Sequence, residues 1–206
     1  MKLTQRFMRV FFDLLYHPLA FTYDFVAAIV SFGKWNDWVQ SVTPFIGGTC
    51  ILELGHGPGH LQLTLSTRGF DSVAMDESAP MGRIAKRRLG NSMKLARAVT
   101  QKIPFASKTF DTVISTFPSE YIFDPQTLAE TYRVLRSGGR FIVLPVAFPT
   151  SGFLKWLYKV TGESPAKLDN ILKERFKQPF TEAGFSVELK TVELKSSTLL
   201  IILADK

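Results

Sequence analysis

The sequence contains little cysteine, little histidine and no long apolar run, and each shortage excludes a class of protein. Its 206 residues include one cysteine, Cys50, and three histidines, His17, His56 and His60. A single cysteine can form neither an internal disulfide nor a cysteine-based zinc site, which excludes a disulfide scaffold and is typical of a reducing compartment. Three histidines leave little material for a metal site, and we expect no bound metal.

No stretch reaches the roughly 18 apolar residues that a membrane-spanning helix needs. The nearest one, residues 141–158, is interrupted by prolines, a glycine and a lysine. The N-terminus begins like a secretory signal, but Asp13 and His17 interrupt its apolar part, and Pro18 begins a poor cleavage site. We therefore expect a cytoplasmic protein.

The composition is that of a globular protein with an excess of positive charge. Hydrophobic residues make up 46% of the chain and charged residues 21%, and the length favours one domain over residues 1–206. Twenty-five basic and 18 acidic side chains give a net charge of +7. Such an excess permits contact with nucleic acid or an anionic membrane, although basic residues on a helix more often form a solvated face. Much of the excess lies in one stretch without an acid: Arg83, Lys86, Arg87, Arg88, Lys94, Arg97, Lys102 and Lys108.

From Cys50 onward, short apolar runs alternate with helical patterns, which predicts an α/β fold with a parallel sheet covered by helices on both faces. A helix from about Lys167 is expected to break near Pro179. Two segments lie outside the alternation: a helical N-terminal cap at 1–45 and an insertion at 146–166 after the fifth strand. The predicted strands are 50–54, 72–76, 93–99, 110–115 and 140–145, with a closing hairpin of 187–194 and 199–203; the earlier helices are 59–67, 78–89 and 125–135.

A glycine-rich loop follows the first predicted strand. Gly55, Gly57 and Gly59 leave backbone without side chains, so that a nucleoside ligand can lie across the strand end. The spacing fits neither the dinucleotide fingerprint nor a P-loop, which disfavours a pyrophosphate cradle. Asp76 ends the next strand about 20 residues later, where a carboxylate can accept hydrogen bonds from both ribose hydroxyls. Together these features favour a nucleoside-binding site over the alternatives, which are an ordinary tight strand-to-helix turn and a helix-capping or surface aspartate.

Four motifs occur in order, at 53–59, 75–81, 103–105 with 110–111, and 133–143. Together they resemble class I S-adenosylmethionine (SAM)-dependent methyltransferases, particularly the branch that acts on small molecules. The resemblance implies a Rossmann-like seven-stranded sheet with strand order 3-2-1-4-5-7-6 and strand 7 antiparallel. It also implies SAM as cofactor, S-adenosylhomocysteine as product and no metal.

The resemblance further implies a role for each part of the cofactor site. The glycine loop borders the methionine part of SAM, Glu53 supports its ammonium group, and Asp76 holds the ribose. The strand-four end brings backbone near the sulfonium. Val99 stands where many relatives carry an acid that binds the adenine amino group. The implied cofactor-binding residues are Glu53, Gly55, His56, Gly57, Gly59, Asp76, Glu77, Met81, Gln101, Ile103, Ser115, Thr116 and Tyr23.

The segment after the fourth strand bears on the acceptor. Residues 117–121 do not form the Asn/Asp-Pro-Pro-Tyr/Phe motif of amino-group nucleobase methylation, and no Pro-Cys pair is present for attack on a pyrimidine. Nucleic acid is therefore disfavoured as a substrate. Tyr121 is a candidate to orient or deprotonate an acceptor, or it merely packs, and His17 is a second candidate catalytic residue.

The first 22 residues place apolar side chains at helical spacing. They form either a lid packed on the domain or an interfacial helix that collects a lipid-soluble substrate from a membrane. Residues 23–24 and 31–35 resemble the same region of ubiquinone/menaquinone C-methyltransferases, where the segment covers the site and the tyrosine, here Tyr23, can reach SAM. The aromatic residues of the 146–166 insertion form the opposite wall of an acceptor pocket or belong to the core.

We therefore expect a SAM-dependent methyltransferase that transfers a methyl group, by in-line displacement, to a small lipophilic or aromatic acceptor. Two alternatives stay open at this stage. The first is an RNA methyltransferase that uses the basic surface, and the second is a non-catalytic domain of the same fold that regulates a partner.

Overall fold

The computed structural model describes residues 31–90, 93–149 and 165–206. Most of the predicted N-terminal cap, with His17 and Tyr23, and most of the predicted insertion lie outside these residues. The helices are α1 (Trp35–Gln40), α2 (His60–Thr67), α3 (Ala79–Leu89), α4 (Pro125–Val134) and α5 (Pro165–Glu182), with 3₁₀ turns at Thr43–Phe45 and Glu120–Phe123. The strands are β1 (Cys50–Leu54), β2 (Asp71–Asp76), β3 (Lys94–Arg97), β4 (Phe110–Thr116), β5 (Leu135–Pro149), β6 (Ser186–Leu194) and β7 (Ser197–Asp205).

The seven strands form one sheet in the order β3-β2-β1-β4-β5-β7-β6. The pairs formed among β1 to β5 are all parallel, and β7 runs antiparallel to both β5 and β6. The predicted Rossmann-like architecture is therefore confirmed. Its parallel part places the carboxyl ends of β1, β2 and β4 on one edge of the sheet, which is where ligands bind in open α/β folds.

Alternating side chains of the central strands build a core on each face of the sheet. Leu52 of β1 is fully buried in the same cluster as Leu128 of α4 and Phe180 of α5. Ile51 points the other way and is buried with Trp38 of α1 and Leu61 of α2. Helices thus cover both faces, as the alternation of strands and helices predicts.

Strand β5 is longer than the sequence suggests. It was expected to end at Pro145, but its pairing with β7 continues from Val146, opposite Leu200, to Pro149, opposite Ser197. The pairing register shifts between Val143 and Val146, so the irregularity accommodates a proline that has no N–H to donate. The first four residues of the predicted insertion therefore belong to the strand.

Helix α5 also differs from its prediction. The helix was expected to break near Pro179 and to finish at Gly184, but Pro179 lies inside it without breaking it. The next residue, Phe180, is fully buried, and its ring contacts the rings of Phe123 and Phe141. This packing stabilises the helix across a residue that cannot form the usual backbone hydrogen bond. The chain leaves the helix at Gly184, whose φ is 93°.

Two predicted helix starts are confirmed by their side chains. Ser78 accepts a hydrogen bond from the Met81 N–H at 3.3 Å, and Asp124 accepts one from the Gln126 N–H at 2.8 Å. Both arrangements are N-caps that satisfy a free donor of the first turn. Within the described parts of the chain, no helix is long and apolar enough to cross a bilayer.

Candidate active site

The glycine-rich loop joins β1 to α2 and lies across the end of β2. The Gly55 N–H donates to the Met75 carbonyl at 2.8 Å, which extends the parallel pairing by one residue. The three glycines have φ values of 74°, 51° and 86°, a region that other residues adopt at a cost. His56 is buried, and its Nδ1 lies 2.6 Å from the Gly57 carbonyl oxygen.

The three glycines differ in what surrounds them. A Cβ on Gly55 would collide with the Tyr121 hydroxyl, and one on Gly59 would come within 2.8 Å of Leu89 Cδ1. A Cβ on Gly57 would meet no atom within 4 Å. Neighbouring side chains therefore leave no room for a Cβ at Gly55 and Gly59, whereas Gly57 borders open space.

The carboxylate of Asp76 lies directly against this loop. One oxygen accepts a hydrogen bond from the Gly57 N–H at 2.9 Å, and the other accepts one from the Ser78 N–H at 2.8 Å. The structure thus brings together the loop and the carboxylate that the sequence singles out. Each carboxylate oxygen keeps further lone pairs for hydroxyl donors.

Glu53 is a buried acid on the α2 face of β1, with 1% of its surface exposed. Gln62 of α2 donates to its Oε2 at 2.8 Å, and Ser72 donates to the Gln62 side-chain oxygen at 3.0 Å. Burial raises the pKa of Glu53 to about 8; the Gln62 hydrogen bond opposes this rise, and the negative charge of Asp76 adds to it. The site therefore holds a carboxyl group that a nearby cation would ionise.

The ends of β1 and β4 are joined by hydroxyl groups. Ser115 is fully buried and donates to the Leu54 carbonyl at 2.8 Å. The Tyr121 hydroxyl lies 3.2 Å from the Ser115 hydroxyl and donates to the same carbonyl at 3.4 Å. The next strand residue, Thr116, pairs with Leu144 of β5. Tyr121 is thus held beside Gly55, at the meeting point of the two strands.

A cavity of about 450 Å³ opens beyond Asp76 and is lined by Glu77, Arg97, Ala98 and Val99. Arg97 Nε donates to the Glu77 carbonyl at 3.0 Å, and Val99 exposes 44% of its surface. Sequence reasoning proposed Glu77 but missed Arg97 and Ala98. These two residues could have been found only from the pairing register of β2 and β3, which places Arg97 beside Asp76.

Three other predicted adenine contacts are engaged elsewhere. Met81 is fully buried, and Ile103 is 3% exposed within the core. Gln101 donates to the Asp124 carboxylate at 3.1 Å. Their roles toward an adenine stay predictions. Over residues 31–90, 93–149 and 165–206, no group of His, Cys, Asp and Glu side chains is arranged to hold a metal ion.

An aromatic cluster lies beside the end of β4, formed by Trp35 and Trp38 of α1 and by Phe117. The ring centroids of Trp35 and Phe117 are 4.5 Å apart, and those of Trp38 and Phe117 are 5.9 Å apart. Trp38 is buried and donates from its indole N–H to the Ser197 hydroxyl at 2.9 Å. Sequence reasoning did not connect Trp35 with Phe117, because no local pattern links α1 to the end of β4.

The sequence of this chain is similar to those of known methyltransferases. The profile of a family described as a methyltransferase domain matches residues 52–143. The chain is 31% identical over 155 residues to a demethylmenaquinone methyltransferase of Thermus thermophilus, covering 71% of this chain and 70% of that protein. It is 29% identical over 169 residues to a ubiquinone/menaquinone biosynthesis C-methyltransferase of Geotalea daltonii, covering 76% and 71%.

A solved structure has the same fold. It is a putative SAM-dependent methyltransferase of Methanococcus maripaludis, with a TM-score of 0.61, 18% identity, and coverage of 89% of this chain and 90% of that one. The match to one demethylmenaquinone methyltransferase, that of Renibacterium salmoninarum, spans 62% of its length. The chain belongs to the class I SAM-dependent methyltransferases, in the family of the demethylmenaquinone and ubiquinone/menaquinone C-methyltransferases.

Proposed function

We propose that this methyltransferase transfers the methyl group of SAM to a ring carbon of a reduced, lipophilic quinone. The observation that carries the proposal is the junction of Gly57 and Asp76, where an open glycine backbone lies 2.9 Å from a carboxylate oxygen. The names of the relatives, demethylmenaquinone methyltransferase and ubiquinone/menaquinone biosynthesis C-methyltransferase, support the acceptor class.

The polar groups of this site fit SAM. Asp76 would accept hydrogen bonds from the ribose hydroxyls, and the cavity beside Glu77 and Val99 would take the adenine. Glu53, ionised by the ligand's ammonium group, would support the methionine end. When bound, SAM supplies an activated methyl group on a sulfonium. The protein's main contribution is then alignment of the acceptor carbon with that methyl group, because orientation lowers the barrier of an in-line displacement.

Tyr121 is the candidate acid–base residue among the described residues. Methyl transfer to a ring carbon of a hydroquinone requires loss of a phenolic proton before attack and of a ring proton afterwards. Ser115 and the Leu54 carbonyl hold the Tyr121 hydroxyl at the end of β4, where it can orient an acceptor hydroxyl and relay its proton. His17 remains a second candidate and lies outside the described residues.

The test is methyl transfer from radiolabelled SAM to a short-tailed demethylmenaquinone analogue kept reduced, with a simple phenol and total RNA as alternative acceptors. We expect label on a carbon of the quinone ring. Asp76→Ala should weaken SAM binding about 10- to 100-fold, because hydrogen bonds to a charged group contribute about 1.5–3 kcal/mol. Transfer to RNA alone, or to phenolic oxygen alone, would refute the proposal.

Asp71 provides a matched control for Asp76. It lies at the opposite end of the same strand, where it is exposed and pairs with Lys94 at 2.6 Å. Asp71→Ala removes the same carboxylate from β2 without touching the glycine loop. Its SAM affinity should stay within about twofold of the original, since an exposed ion pair contributes little.

A further inference from the structure

Phe117 has a backbone conformation that its side chain disfavours. It follows the last residue of β4, and its φ is 50°. Bulky residues rarely adopt this left-handed region, and where they do the strain is often tied to a functional site. The Phe117 N–H still donates to the Leu144 carbonyl at 2.7 Å, so the chain turns sharply without losing its bond to β5.

The turn directs the Phe117 ring onto Trp35. The two ring planes are inclined by 31° with centroids 4.5 Å apart, close to the offset stacking that aromatic pairs prefer. Both side chains are only partly buried against the α1 face of the core. Trp38 behind them is 2% exposed and is fixed by its bond to Ser197. The cluster therefore consists of a fixed inner ring and two outer rings with accessible surface.

The Phe117–Trp35 pair lies near the end of β4. Phe117 is two residues beyond Ser115, whose hydroxyl binds the Leu54 carbonyl at the start of the glycine loop. The pair thus lies on the carboxyl edge of the sheet, the edge of the proposed cofactor site. Core packing alone does not require the strain, because a strand residue in extended backbone can also bury an aromatic ring.

We propose that Phe117 and Trp35 form the surface on which the planar ring of the acceptor stacks, with the strained turn at Phe117 setting its position. The inference rests on the proposed function, because it assumes an aromatic acceptor. It adds the residues of this chain that bind the acceptor ring. Stacking on a fixed aromatic surface aligns a flat molecule in the way that an in-line transfer needs.

The test removes the ring in two ways, with and without relief of the backbone strain. Phe117→Ala removes the ring and keeps a side chain in the strained backbone, whereas Phe117→Gly removes both. Each should raise the KM for the short-tailed reduced demethylmenaquinone analogue by tenfold or more, while the Kd for SAM changes by less than threefold. Trp35→Leu should act in the same way, and Trp35→Phe should keep the KM within threefold.

Lys108 provides the control for strain. Its φ is 55°, and it lies in an exposed turn before β4. Lys108→Gly should raise Tm by about 2–4 °C, since glycine adopts this backbone freely. It should leave the KM for the acceptor and the Kd for SAM unchanged. Phe117→Gly should likewise have a higher Tm than Phe117→Ala. If both variants lose acceptor binding to the same extent despite this difference in stability, the loss does not come from unfolding.

The outcomes distinguish the inference from the proposed function. If the original protein methylates the quinol and Phe117→Gly has an unchanged KM, the stacking surface is wrong and the proposed function stands. If the original protein transfers its methyl group to a non-aromatic acceptor in preference to the quinol, the proposed function and the inference fail together. A KM increase confined to the Phe117 and Trp35→Leu variants supports both.

Discussion

Replacement of Glu53 by glutamine should make the protein more stable at neutral pH, although it removes a hydrogen-bonded carboxyl group. The side chain is 1% exposed and its pKa is raised to about 8. Glutamine has the same shape and can still accept the Gln62 hydrogen bond, which is 2.8 Å long in the original protein. The variant therefore removes a titration without leaving a cavity and keeps an acceptor for the Gln62 amide.

The direction of the pH dependence follows from the two pKa values. The folded protein keeps the Glu53 proton up to about pH 8, whereas the unfolded chain releases it near 4.5. The stabilisation from this proton is complete below pH 4.5 and is lost as pH rises to 8. At about 1.4 kcal/mol per unit, the loss at pH 7 is on the order of 3 kcal/mol.

Urea unfolding between pH 5 and 8 measures the effect. The free energy of unfolding of Glu53→Gln should exceed that of the original by less than about 1 kcal/mol at pH 5 and by on the order of 3 kcal/mol at pH 7. Glu188→Gln serves as the control, because Glu188 is an exposed acid paired with Lys190. A constant difference between Glu53→Gln and the original across this range would refute the assignment of a buried, protonated Glu53.

Glu53 should also make the affinity for SAM depend on pH. If the ligand's ammonium requires an ionised Glu53, the affinity of the original protein should rise about tenfold per pH unit from 6 to 8. Above that it should fall, since an α-amino group loses its proton near 7.7–8.0. Calorimetry in buffers of different ionisation enthalpy should detect one released proton at pH 6.5. Glu53→Gln should release none.

Three further predictions concern the loop, the cavity and the N-terminus. Gly55→Ala should lower the free energy of unfolding in urea, and adding Tyr121→Phe should restore part of it. The second change removes the hydroxyl that collides with the new Cβ, and the next ring atom lies 3.5 Å away. If the effects of the two substitutions simply add, this geometry is wrong. Val99→Asp should tighten SAM binding about three- to tenfold by one net hydrogen bond to adenine, with Val99→Leu unchanged in the same calorimetry. Deleting residues 1–22 should raise the acceptor KM more than the Kd for SAM; equal losses would make that segment structural.

The meeting of the glycine-rich loop and Asp76 was predictable from the sequence. Gly57 and Asp76 meet because each follows a buried strand, and adjacent parallel strands bring their carboxyl ends together. Spacing along the chain therefore determined the geometry. The edge strand β3 was harder to place because it is short and partly polar, so Arg97 and Ala98 were missed.

The contact between Trp35 and Phe117 was not predictable in the same way. Contact between Trp35 and Phe117 depends on how α1 docks on the sheet, and no period in the sequence encodes it. The left-handed φ of Phe117 runs against its residue type, so local propensity points the wrong way. The predicted break of α5 near Pro179 was wrong for a related reason, because packing around Phe180 outweighs the backbone cost at Pro179.

The bond from Trp38 to Ser197 has a consequence for how the chain folds during synthesis. The two residues are 159 positions apart, and β7 takes its place between β5 and β6 only after all other strands have been made. Until the ribosome has produced β7, the Trp38 indole N–H therefore lacks its partner Ser197, and the cluster around it lacks the side chains that β7 contributes. Nascent chains that end before residue 197 should therefore expose more of the apolar surface around Trp38 than chains in which β7 has emerged.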